Sequence, residues 1–372
     1  MIIHNGEVGT TERKRVYNIW ALRKITINEF QLLQLILGEN ISSRLTRNSA
    51  FTMEANLSKP NVSQGVFPNT LMNRSMGQVV ADVGPLFLIN LTALFGNTLL
   101  CIAFIKNNHL RSVTNIFVLT LAVSDIVMSL TCMPLSEGSL LAGEWIFGDL
   151  LCHIQGFLAH FLAFLSLEMM AITAANRYLR VIKQDLYKKI FTPGYTTLII
   201  LSASLLSVGI LASITFAQHG NLFVFHPGKA ICVNLYRSVI STQIYTIFSS
   251  VTFVSLPAIV IIWCYTKVFR SIRRHFRRLA ARKMSSASIN SMNPAEIVVT
   301  RTVFAIVIAF FICWIPCIVI DLVDITRDAW FDRRVYLAYT YFAFTSSAIN
   351  PIIYGIMNRS FRVEYLKLLK CR

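Results

Sequence analysis

Seven long apolar runs, separated by short polar connections, follow one another along the chain from about residue 81 onward. A transmembrane helix needs about 20 consecutive apolar residues, and each run reaches roughly that length or more. Backbone polar groups in lipid must be satisfied within their own segment, so such runs are expected to be α-helical. The pattern therefore predicts an all-α membrane protein, a seven-transmembrane helix bundle. Its spans 1 to 7 cover about residues 81–105, 114–134, 151–178, 195–217, 241–266, 298–323 and 335–354.

Polar segments flank the predicted bundle, which extends over residues 79–357. Residues 1–78 lack the charged, apolar and small-residue pattern of a cleaved signal peptide, and they are expected to form a disordered, glycosylated extracellular tail. Residues 358–372 place Phe361 and Tyr365 on one side and basic residues elsewhere, which predicts a short amphipathic eighth helix along the inner membrane surface. Cys371 then lies where palmitoylation would add a lipid anchor.

The strong positive charge is distributed unevenly. The formal net charge is +17, and 21 of the 35 Lys and Arg residues follow spans 1, 3, 5 and 7, whereas five lie in the connections on the opposite side. This asymmetry is typical of the positive-inside rule, and it predicts an N-terminus on the outer side and a C-terminus in the cytoplasm. The membrane is expected to be the plasma membrane. No folded domain or stripe of basic and aromatic residues supports binding to nucleic acid.

Asparagine sequons and cysteines agree with this orientation. Four Asn-X-Ser triplets on the outer side are candidate glycosylation sites, beginning at Asn40, Asn56, Asn61 and Asn73. Five of the eight cysteines fall inside spans, where a free thiol usually serves packing. Only Cys152 and Cys232 lie on the outer, oxidising side, which predicts a disulfide between them. The sequence has no His and Cys cluster with metal-ligand spacing.

Ionisable residues inside the spans are functional candidates. Span 3 carries Cys152 near one end and the tripeptide Asn176-Arg177-Tyr178 at the other, roughly 37 Å apart at about 1.5 Å per helical residue. Asp125 lies in the middle of span 2, where an unpaired carboxylate would cost several kcal/mol, so we expect it to face the bundle interior near Asn97. The alternative is a hydrogen bond between helices with no role in switching.

Proline and aromatic motifs mark spans 5 to 7. Span 5 contains Pro257 in its interior and Tyr265 near its inner end. Span 6 contains Cys313-Trp314-Ile315-Pro316, and span 7 ends with Asn350-Pro351-Ile352-Ile353-Tyr354. A proline inside a spanning helix frees a carbonyl and bends the helix, which makes room for a ligand or a hinge.

These motifs, together with Gly96-Asn97 in span 1 and Leu121-Ala122-Val123-Ser124-Asp125 in span 2, stand in the order and at the spacing of one family. Over about residues 79–371 the chain resembles the rhodopsin-like (class A) G-protein-coupled receptors. The Asn-Arg-Tyr tripeptide is similar to that of melatonin receptors and of melatonin-receptor-like orphan receptors. Each motif is common by itself, and their shared register across seven spans carries the resemblance.

The resemblance implies a two-state switch operated by an extracellular ligand of unknown class. Its other partners would be a heterotrimeric G protein, arrestin, a receptor kinase and the lipid bilayer. Ligand in the outer half would bias span 6 to swing outward at its inner end, which opens a cleft for the G protein. Arg177 would be held at rest by Glu296, and Tyr265 and Tyr354 would approach it on activation. The implied coupling and switch residues are Asn176, Arg177, Tyr178, Tyr265, Glu296, Asn350, Pro351 and Tyr354.

The same resemblance implies a ligand pocket and a sodium pocket within the bundle. Trp314 would form the floor of the ligand pocket, Phe310 would pack against span 3 below it, and Pro316 would be the bend. The pocket candidates are Gln155, Ala159, His160, Phe253, Phe310, Trp314, Pro316, Asp321 and Phe344. The candidates around an allosteric sodium ion are Asn97, Asp125, Ser166, Ser347 and Asn350. No other cofactor and no enzymatic activity is implied.

Two departures from the family pattern affect the switch. Asn176 stands where the family usually has an acid, so Arg177 lacks its local carboxylate partner and Glu296 becomes its chief restraint. We therefore expect appreciable basal signalling. Ser346 stands where an asparagine is common in the sodium pocket, which leaves sodium sensitivity open.

Three further departures narrow the ligand class. Phe253 occupies the place of the histidine that melatonin receptors offer their ligand, which argues against melatonin. Phe344 stands where opsins carry their retinal lysine, and Ala159 stands where amine receptors have an aspartate. The sequence therefore argues against retinal and against the amine receptors' mode of recognition.

The polar candidates near the pocket each have a structural alternative. Asp321 and Asp324, at the outer end of span 6, could attract a cationic or peptide ligand, or could pair with an arginine such as Arg333. His160 is equally well explained as a packed core histidine. Glu168 is expected to face spans 4 and 5 and to bond to a carbonyl of span 5.

Other classes of membrane protein fit less well. A secondary transporter would show two related halves with interrupted helices, and the sequence has no internal repeat. An intramembrane enzyme would need a zinc motif, a Gly-X-Ser-X-Gly motif or an acid pair, and the sequence has none of them. The remaining alternative is a receptor-like protein with constitutive or partner-dependent signalling.

Overall fold

The first long helix starts at an N-terminal capping box. The Ser75 side chain accepts a hydrogen bond from the backbone N–H of Gln78 (3.3 Å), and the Gln78 side chain accepts one from the N–H of Ser75 (2.9 Å). This exchange satisfies two backbone donors that the start of a helix leaves free. The helix therefore begins at Met76, slightly ahead of the bundle edge expected at residue 79.

The computed structural model describes residues 71–217, 222–235, 239–281, 294–324 and 330–369. Within these ranges each predicted span is helical. The helices are α1 Met76–Lys106, α2 Val113–Ala142, α3 Gly148–Ile182, α4 Gln184–Ile190, α5 Pro193–Ala217, α6 Val239–Ser249, α7 Leu256–Ala281, α8 Pro294–Asp324, α9 Arg333–Met357 and α10 Arg359–Leu369. A short 3₁₀ helix covers Asn108–Leu110. Strands β1 Leu222–His226 and β2 Ile231–Leu235 form an antiparallel hairpin.

Six of the described helical segments are long and apolar enough to cross a membrane, namely α1, α2, α3, α5, the α6–α7 segment and α8. The predicted seventh span, α9, has 25 residues. At about 1.5 Å per residue its length is roughly 37 Å, which is also sufficient. Four of its buried residues are polar: Thr340, Ser346, Ser347 and Asn350. Polar residues are tolerated in a span when they face other helices rather than lipid.

Span 5 contains a widened turn ahead of its proline. Pro257 has no N–H and cannot donate to the carbonyl four residues earlier. Directly before it, Ser250–Ser255 form a π-helical segment, and the N–H of Leu256 bonds to the carbonyl of Val251, five residues back. Such a turn changes which side chains face the neighbouring helices. Phe253, within the π segment, is buried.

The outer surface of the bundle is apolar. Large side chains are exposed along several of the spans, for example Phe95 on α1, Leu198 on α5 and Ile312 on α8. Soluble proteins rarely leave such extensive apolar surface uncovered. These faces are therefore suited to contact with lipid.

The two ends of the bundle are named here from α3. Cys152 lies near its start and Arg177 near its end, so the bundle has a Cys152 end and an Arg177 end. The largest core cluster includes Met170, Phe310 and Tyr354. A second cluster, which includes Leu162 and Phe344, lies nearer the Cys152 end and is joined by residues of the hairpin.

The helix α10 is anchored at the Arg177 end. Phe361 is fully buried, with its ring 5.3 Å from that of Tyr354. Glu364 accepts hydrogen bonds from Lys367 (2.9 Å) and from Asn107 after α1 (3.0 Å). The bond from Lys367 holds the pKa of Glu364 below its usual value. The predicted amphipathic segment is therefore a helix whose buried side docks on α1 and α9.

A cluster of three charges ties the Cys152 end together. The Asp82 carboxylate on α1 accepts hydrogen bonds from Arg74 (2.9 Å) and from Arg333 at the start of α9 (2.5 Å). Arg74 also donates to the carbonyl of Leu140 on α2. None of the three charged side chains is more than 17% exposed. The segment ahead of α1 is thus joined to α1 and α9 through the Asp82 carboxylate and to α2 through the Leu140 carbonyl.

Replacing Asp82 with Asn should leave two nearly buried guanidinium groups without their shared carboxylate. Removing one partner of a buried ion pair costs about 3 to 5 kcal/mol. We expect the melting temperature of the purified protein in detergent to fall by about 5 °C or more. The matched control is Asp149→Asn, an exposed carboxylate at the same end. An equal shift in both variants would show that the Asp82 cluster contributes nothing specific.

Candidate functional site

The side chain of Arg177 is buried near the end of α3. It is 1% exposed, and its Nη2 donates a hydrogen bond to Oδ1 of Asn176 at 3.0 Å. The same oxygen accepts a hydrogen bond from the hydroxyl of Thr114 on α2 at 2.9 Å. Asn176 therefore links α2 to the arginine through a neutral amide oxygen. A carboxylate in this place would form a stronger, charge-assisted bond.

Two buried tyrosines lie near the arginine on other helices. Tyr265 on α7 and Tyr354 on α9 are close enough to Arg177 for electrostatic interaction. The Tyr265 ring packs against Phe304 of α8, with 5.1 Å between centroids. Its hydroxyl is buried and has no hydrogen-bond partner in the described part of the chain. The fold thus brings together three predicted switch residues that lie far apart in sequence.

Two other predicted switch residues are placed differently. The Tyr178 ring lies against Trp263 on the outer face of α7, with 4.8 Å between centroids. Glu296 falls in the first turn of α8. Its side chain lies outside the described residues, so the expected ion pair with Arg177 stays a prediction.

A polar cluster occupies the interior of the bundle between α1, α2 and α9. Asn350 donates to the Asp125 carboxylate at 2.9 Å, and Asn97 donates to the backbone carbonyl of Ser347 at 3.0 Å. All four residues are buried. Asn97 was expected to lie beside Asp125, and its proximity stays a prediction, since its side chain bonds to the Ser347 backbone while Asn350 donates to the carboxylate. The Oδ1 atoms of Asn97 and Asn350 have no donor among the described residues.

Two serines, one on α3 and one on α9, bond within their own helices. The hydroxyl of Ser166 on α3 donates to the carbonyl of Leu162 at 2.8 Å, and that of Ser346 donates to the carbonyl of Ala343 at 2.6 Å. Ser166, a predicted sodium ligand, therefore has its proton engaged while its lone pairs are available. Over the described ranges, no group of three or more His, Cys, Asp or Glu side chains is arranged to hold a metal ion.

The glycine of the first motif fits against the proline of the last. A Cβ added to Gly96 on α1 would lie 2.5 Å from Cγ of Pro351 on α9, which is far closer than real contacts allow. Only glycine permits this approach of the two helices. The two motifs are therefore parts of one helix contact, next to Asn97 and Asn350.

The tryptophan of span 6 lies on an aromatic stack. The rings of Trp314 and Phe310 are 5.7 Å apart and nearly parallel, at 23°. Phe310 is buried in the core cluster that also contains Met170 of α3. The Trp314 indole nitrogen is buried without an acceptor among the described residues. Pro316 lies two residues further along the same helix, where it removes one backbone hydrogen bond.

Phe253 fills the place expected for a ligand-binding histidine. Its ring stacks on that of Phe164 of α3 at 4.1 Å, with 7° between the planes. His160, one turn before Phe164, bonds through Nδ1 to the carbonyl of Gly156 at 2.7 Å. Its ring also lies 5.9 Å from that of Phe223 on β1. His160 therefore packs between α3 and the hairpin. The predicted pocket residues Ala159 and Phe344 contact the core cluster near the Cys152 end.

The hairpin between α5 and α6 is fastened to α3. A disulfide joins Cys152 to Cys232 of β2, as predicted, with 5.5 Å between the Cα atoms. In the register of the hairpin, Phe225 lies opposite Cys232. Trp145 packs against Phe225 at 5.4 Å between centroids.

Gln155, a predicted pocket residue, holds the hairpin in place. Its side-chain oxygen accepts a hydrogen bond from the N–H of Cys232 at 3.0 Å. Its side-chain nitrogen donates to the carbonyl of Cys132 (3.0 Å) and to the hydroxyl of Ser136 (3.1 Å) on α2. The residue is fully buried. Its polar groups are engaged by the protein, and it acts as a bridge between α2, α3 and β2.

The turn of the hairpin carries a lysine, Lys229, that was not among the site residues predicted from the sequence. Lys229 is buried, and its Nζ lies 2.6 Å from Oδ1 of Asp321 on α8. The hydroxyl of Thr340 on α9 donates to the Lys229 carbonyl, and the Lys229 N–H donates to Nδ1 of His226 at 3.2 Å. The signal in the sequence is the turn-forming pair Pro227-Gly228 directly before Lys229, the one Lys or Arg of the 222–235 segment.

The acids near the end of α8 have specific partners. Besides Lys229, Asp321 accepts a hydrogen bond at Oδ2 from the hydroxyl of Tyr339 on α9, at 3.2 Å. Asp324 accepts one from the hydroxyl of Tyr336 at 2.6 Å. Arg333, expected as a partner for these acids, bonds to Asp82 instead because α9 begins beside α1.

Glu168 bonds to span 4 rather than to span 5. Its Oε2 accepts a hydrogen bond from the hydroxyl of Ser207 on α5 at 2.7 Å. The partner found among the described residues is this hydroxyl on the facing helix and not the expected carbonyl of span 5. A hydroxyl can donate a hydrogen bond to a carboxylate, whereas a carbonyl can only accept one. Glu168 is therefore a bond between helices.

With the fold and these contacts in view, comparison with known proteins is informative. Residues 96–354 match the family described as "7 transmembrane receptor (rhodopsin family)". The chain belongs to this family. It is 29% identical to melatonin receptor type 1A of Mus musculus, over 74% of this chain and 76% of that receptor. It is 26% identical to neuropeptide Y receptor type 4 of Rattus norvegicus (73% and 75%) and to histamine H2 receptor of Cavia porcellus (83% and 84%).

The family membership specifies the class of function. The chain is a G-protein-coupled receptor, a multi-pass membrane protein that converts binding of an extracellular ligand into G-protein signalling, and it is not an enzyme. The resemblance, the seven-helix fold class and the receptor function predicted from the sequence are therefore confirmed. The relatives are named for melatonin, a neuropeptide and histamine, so their names do not specify one ligand for this receptor.

Several predicted modification sites fall outside the described residues. These are Asn40, Asn56, Asn61 and Cys371. Asn73 is described, and it is exposed in a left-handed conformation with φ of 66°. Asparagine adopts this conformation more readily than most residues. Glycosylation of Asn73 stays a prediction.

Cys152→Ala and Cys232→Ala should each reach the cell surface poorly, because the disulfide and Gln155 together hold the hairpin across the end of α3. The two cysteines are 80 residues apart in sequence. In the chain-entropy model, closing a loop of that length adds about 4 kcal/mol to the free energy of unfolding. Surface labelling of an N-terminal tag measures the effect, and Cys101→Ala, a half-buried free thiol, is the control. The double variant should resemble either single variant. Normal surface levels of the double variant would show that the bridge is dispensable.

Proposed function

We propose that the receptor lies in the plasma membrane with its Cys152 end outside the cell and its Arg177 end in the cytoplasm. Four exposed arginines on the Arg177 side of α7 support this orientation: Arg270, Arg273, Arg274 and Arg277. Basic residues are retained on the cytoplasmic side of membrane proteins. The disulfide lies at the opposite end, which suits the oxidising exterior. The extracellular N-terminus and cytoplasmic C-terminus follow from the same orientation.

We infer that ligand binding at the Cys152 end shifts the receptor toward a state in which α8 swings outward at the Arg177 end. The observation that carries this inference is the buried Arg177, which rests on a neutral oxygen with Tyr265 and Tyr354 nearby. A ligand shifts such an equilibrium only through its differential affinity for the two states. Outward movement of α8 would open a cleft for the G protein beside Arg177, and arrestin and a receptor kinase would act at the same end.

Basal signalling is a second property that this arrangement favours. The oxygen that Asn176 offers Arg177 is uncharged and is shared with Thr114. Hydrogen bonds to an ionised acceptor are about twice as strong as those between neutral groups. The resting state is therefore restrained less than it would be by an acid at position 176, and constitutive signalling is the alternative to a strictly ligand-driven receptor.

Asn176→Asp should lower basal nucleotide exchange on G proteins, measured in membranes, by about fivefold or more, since about 1 kcal/mol of added restraint changes a population by that factor. Glu296→Ala should raise basal exchange, because it removes the other expected restraint on Arg177. Thr114→Val, which changes no charge, is the matched control and should have a smaller effect. Arg177→Ala should abolish exchange. Unchanged basal exchange in both Asn176→Asp and Glu296→Ala would contradict the proposed restraint.

We further propose that the polar cluster around Asp125 holds a sodium ion. Hard cations prefer oxygen ligands. The cluster offers the Asp125 carboxylate, which accepts a hydrogen bond from Asn350. It also offers the Oδ1 atoms of Asn97 and Asn350, and these two atoms are buried without donors among the described residues. The hydroxyls of Ser166 and Ser347 would complete the set. The ion would stabilise the state in which these helices enclose it.

Sodium chloride should raise the melting temperature of the purified receptor relative to choline chloride by about 2 °C or more, as expected for a ligand that binds the folded state. Asp125→Asn should lose this increment because it removes the anionic ligand. Glu168→Gln, a change at another acid within the spans, should retain it. An increment that survives in Asp125→Asn would place the ion elsewhere.

A further inference from the structure

The hairpin turn brings a cation into the interior of the Cys152 end. The Lys229 side chain is 8% exposed although lysine is normally a surface residue. Neighbouring Ala230 belongs to the same buried cluster as Leu162 and Phe344. The turn therefore reaches the part of the bundle where the sequence predicts the ligand pocket.

The surroundings of the Lys229 ammonium form a cation-binding site. The carboxylate of Asp321 lies 2.6 Å from it, and the ring centroid of Tyr339 lies 4.4 Å away. The Tyr339 hydroxyl also donates to the second oxygen of Asp321 at 3.2 Å, which orients the carboxylate. The Tyr336 ring lies 5.9 Å from the ammonium. An oriented carboxylate with aromatic faces is the chemistry that binds organic cations.

The backbone of the turn is held independently of this ammonium. The hydroxyl of Thr340 bonds to the Lys229 carbonyl, and the Lys229 N–H bonds to the ring of His226. The disulfide to Cys152 fastens the strand that follows. The lysine side chain can therefore leave Asp321 without unfolding of the hairpin.

The carboxylate can be reached from outside. The Asp321 side chain is 36% exposed, whereas that of Lys229 is 8% exposed. An external cation could approach Asp321 from the solvent side while the lysine occupies the protein side. His160 of α3 lies within electrostatic range of both charges, so the site adjoins the wall of the predicted pocket.

We propose that Asp321 and Tyr339 form the cation subsite of the ligand cavity, that the Lys229 ammonium occupies it as a built-in substitute, and that the ligand presents a primary ammonium or guanidinium group that displaces Lys229. This inference rests on the proposed function in one respect, the binding of ligand at the Cys152 end. It differs from recognition by an aspartate on span 3, since Ala159 stands at that position.

The test removes the Lys229 ammonium by mutation and supplies an ammonium ion from solution in its place. Lys229→Ala empties the subsite, and n-butylammonium has the ammonium and the four carbons of a complete lysine side chain, of which alanine keeps one carbon. We expect a saturable rise of about 2 to 4 °C in the melting temperature of purified Lys229→Ala in nanodiscs, with half-saturation at millimolar concentration. The wild-type receptor should show a much smaller rise because Lys229 competes for the carboxylate.

Four controls separate the cation subsite from general effects of the amine. n-Butanol, which lacks the charge, should not stabilise Lys229→Ala. Lys229→Met, which refills the space, and the double variant Lys229→Ala with Asp321→Asn should not respond to n-butylammonium. Lys367→Ala, which breaks the pair between exposed Lys367 and Glu364 at the other end, should respond no more than wild type. An equal rise in all variants, or none in Lys229→Ala, would overturn the proposal.

A reversed pair keeps the proposal testable if Lys229→Ala does not fold. Lys229→Asp and Asp321→Lys should each reduce the amount of receptor at the cell surface, and their combination should restore much of it. Lack of any restoration would contradict a functional pairing of these groups. The melting measurement needs no G protein, so stabilisation by n-butylammonium without nucleotide exchange would overturn the proposed signalling route and leave the cation subsite intact.

Discussion

Burying a polar group in a membrane-spanning bundle is costly unless the group finds a partner on the protein, because no water is available in lipid to replace it. This constraint accounts for most of the specific contacts of the receptor. Asp125 takes its hydrogen bond from Asn350 on α9, and Glu168 takes one from Ser207 on α5. Gln155 satisfies both ends of its amide with α2 and the hairpin. The polar residues therefore determine which helix faces meet, while the apolar residues supply the packing between them.

One helix, α8, connects the two ends of the molecule. The helix α8 carries Asp321 beside the hairpin, Trp314 and Phe310 in the middle, and Val303 in the core cluster that contains Tyr265. A packed helix responds to a change at one end as a body rather than residue by residue. Replacement of Lys229 by another cation at Asp321 would therefore act on the helix whose far end lies near Arg177. The Pro316 position supplies a point at which the two halves of α8 can differ in direction.

The two ends of the receptor differ in how their buried cations are paired. Arg177 bonds to the neutral amide of Asn176, and in the interior the Phe253 ring stacks on Phe164. In contrast, the Cys152 end holds ion pairs, with Asp82 bonded to two arginines and Asp321 to a lysine. The electrostatic specificity of this receptor is concentrated at the end that the proposed orientation exposes to ligand.

The sequence by itself determined the number, order and approximate bounds of the spans, because helix length and hydropathy are local properties that a bilayer imposes on each segment separately. It also determined the disulfide, since only two cysteines lie on the outer side. The register of the motifs identified Arg177, Tyr265 and Tyr354 as residues of one site, which the fold brings together.

Only the tertiary structure decided that Lys229 meets Asp321, 92 residues away, and that Arg333 meets Asp82, 251 residues away. It also decided that Gln155 serves the hairpin rather than an open pocket. These pairings depend on the rotation of each helix and on the path of a loop through the end of the bundle, and neither is encoded in the local pattern of hydrophobic and polar residues.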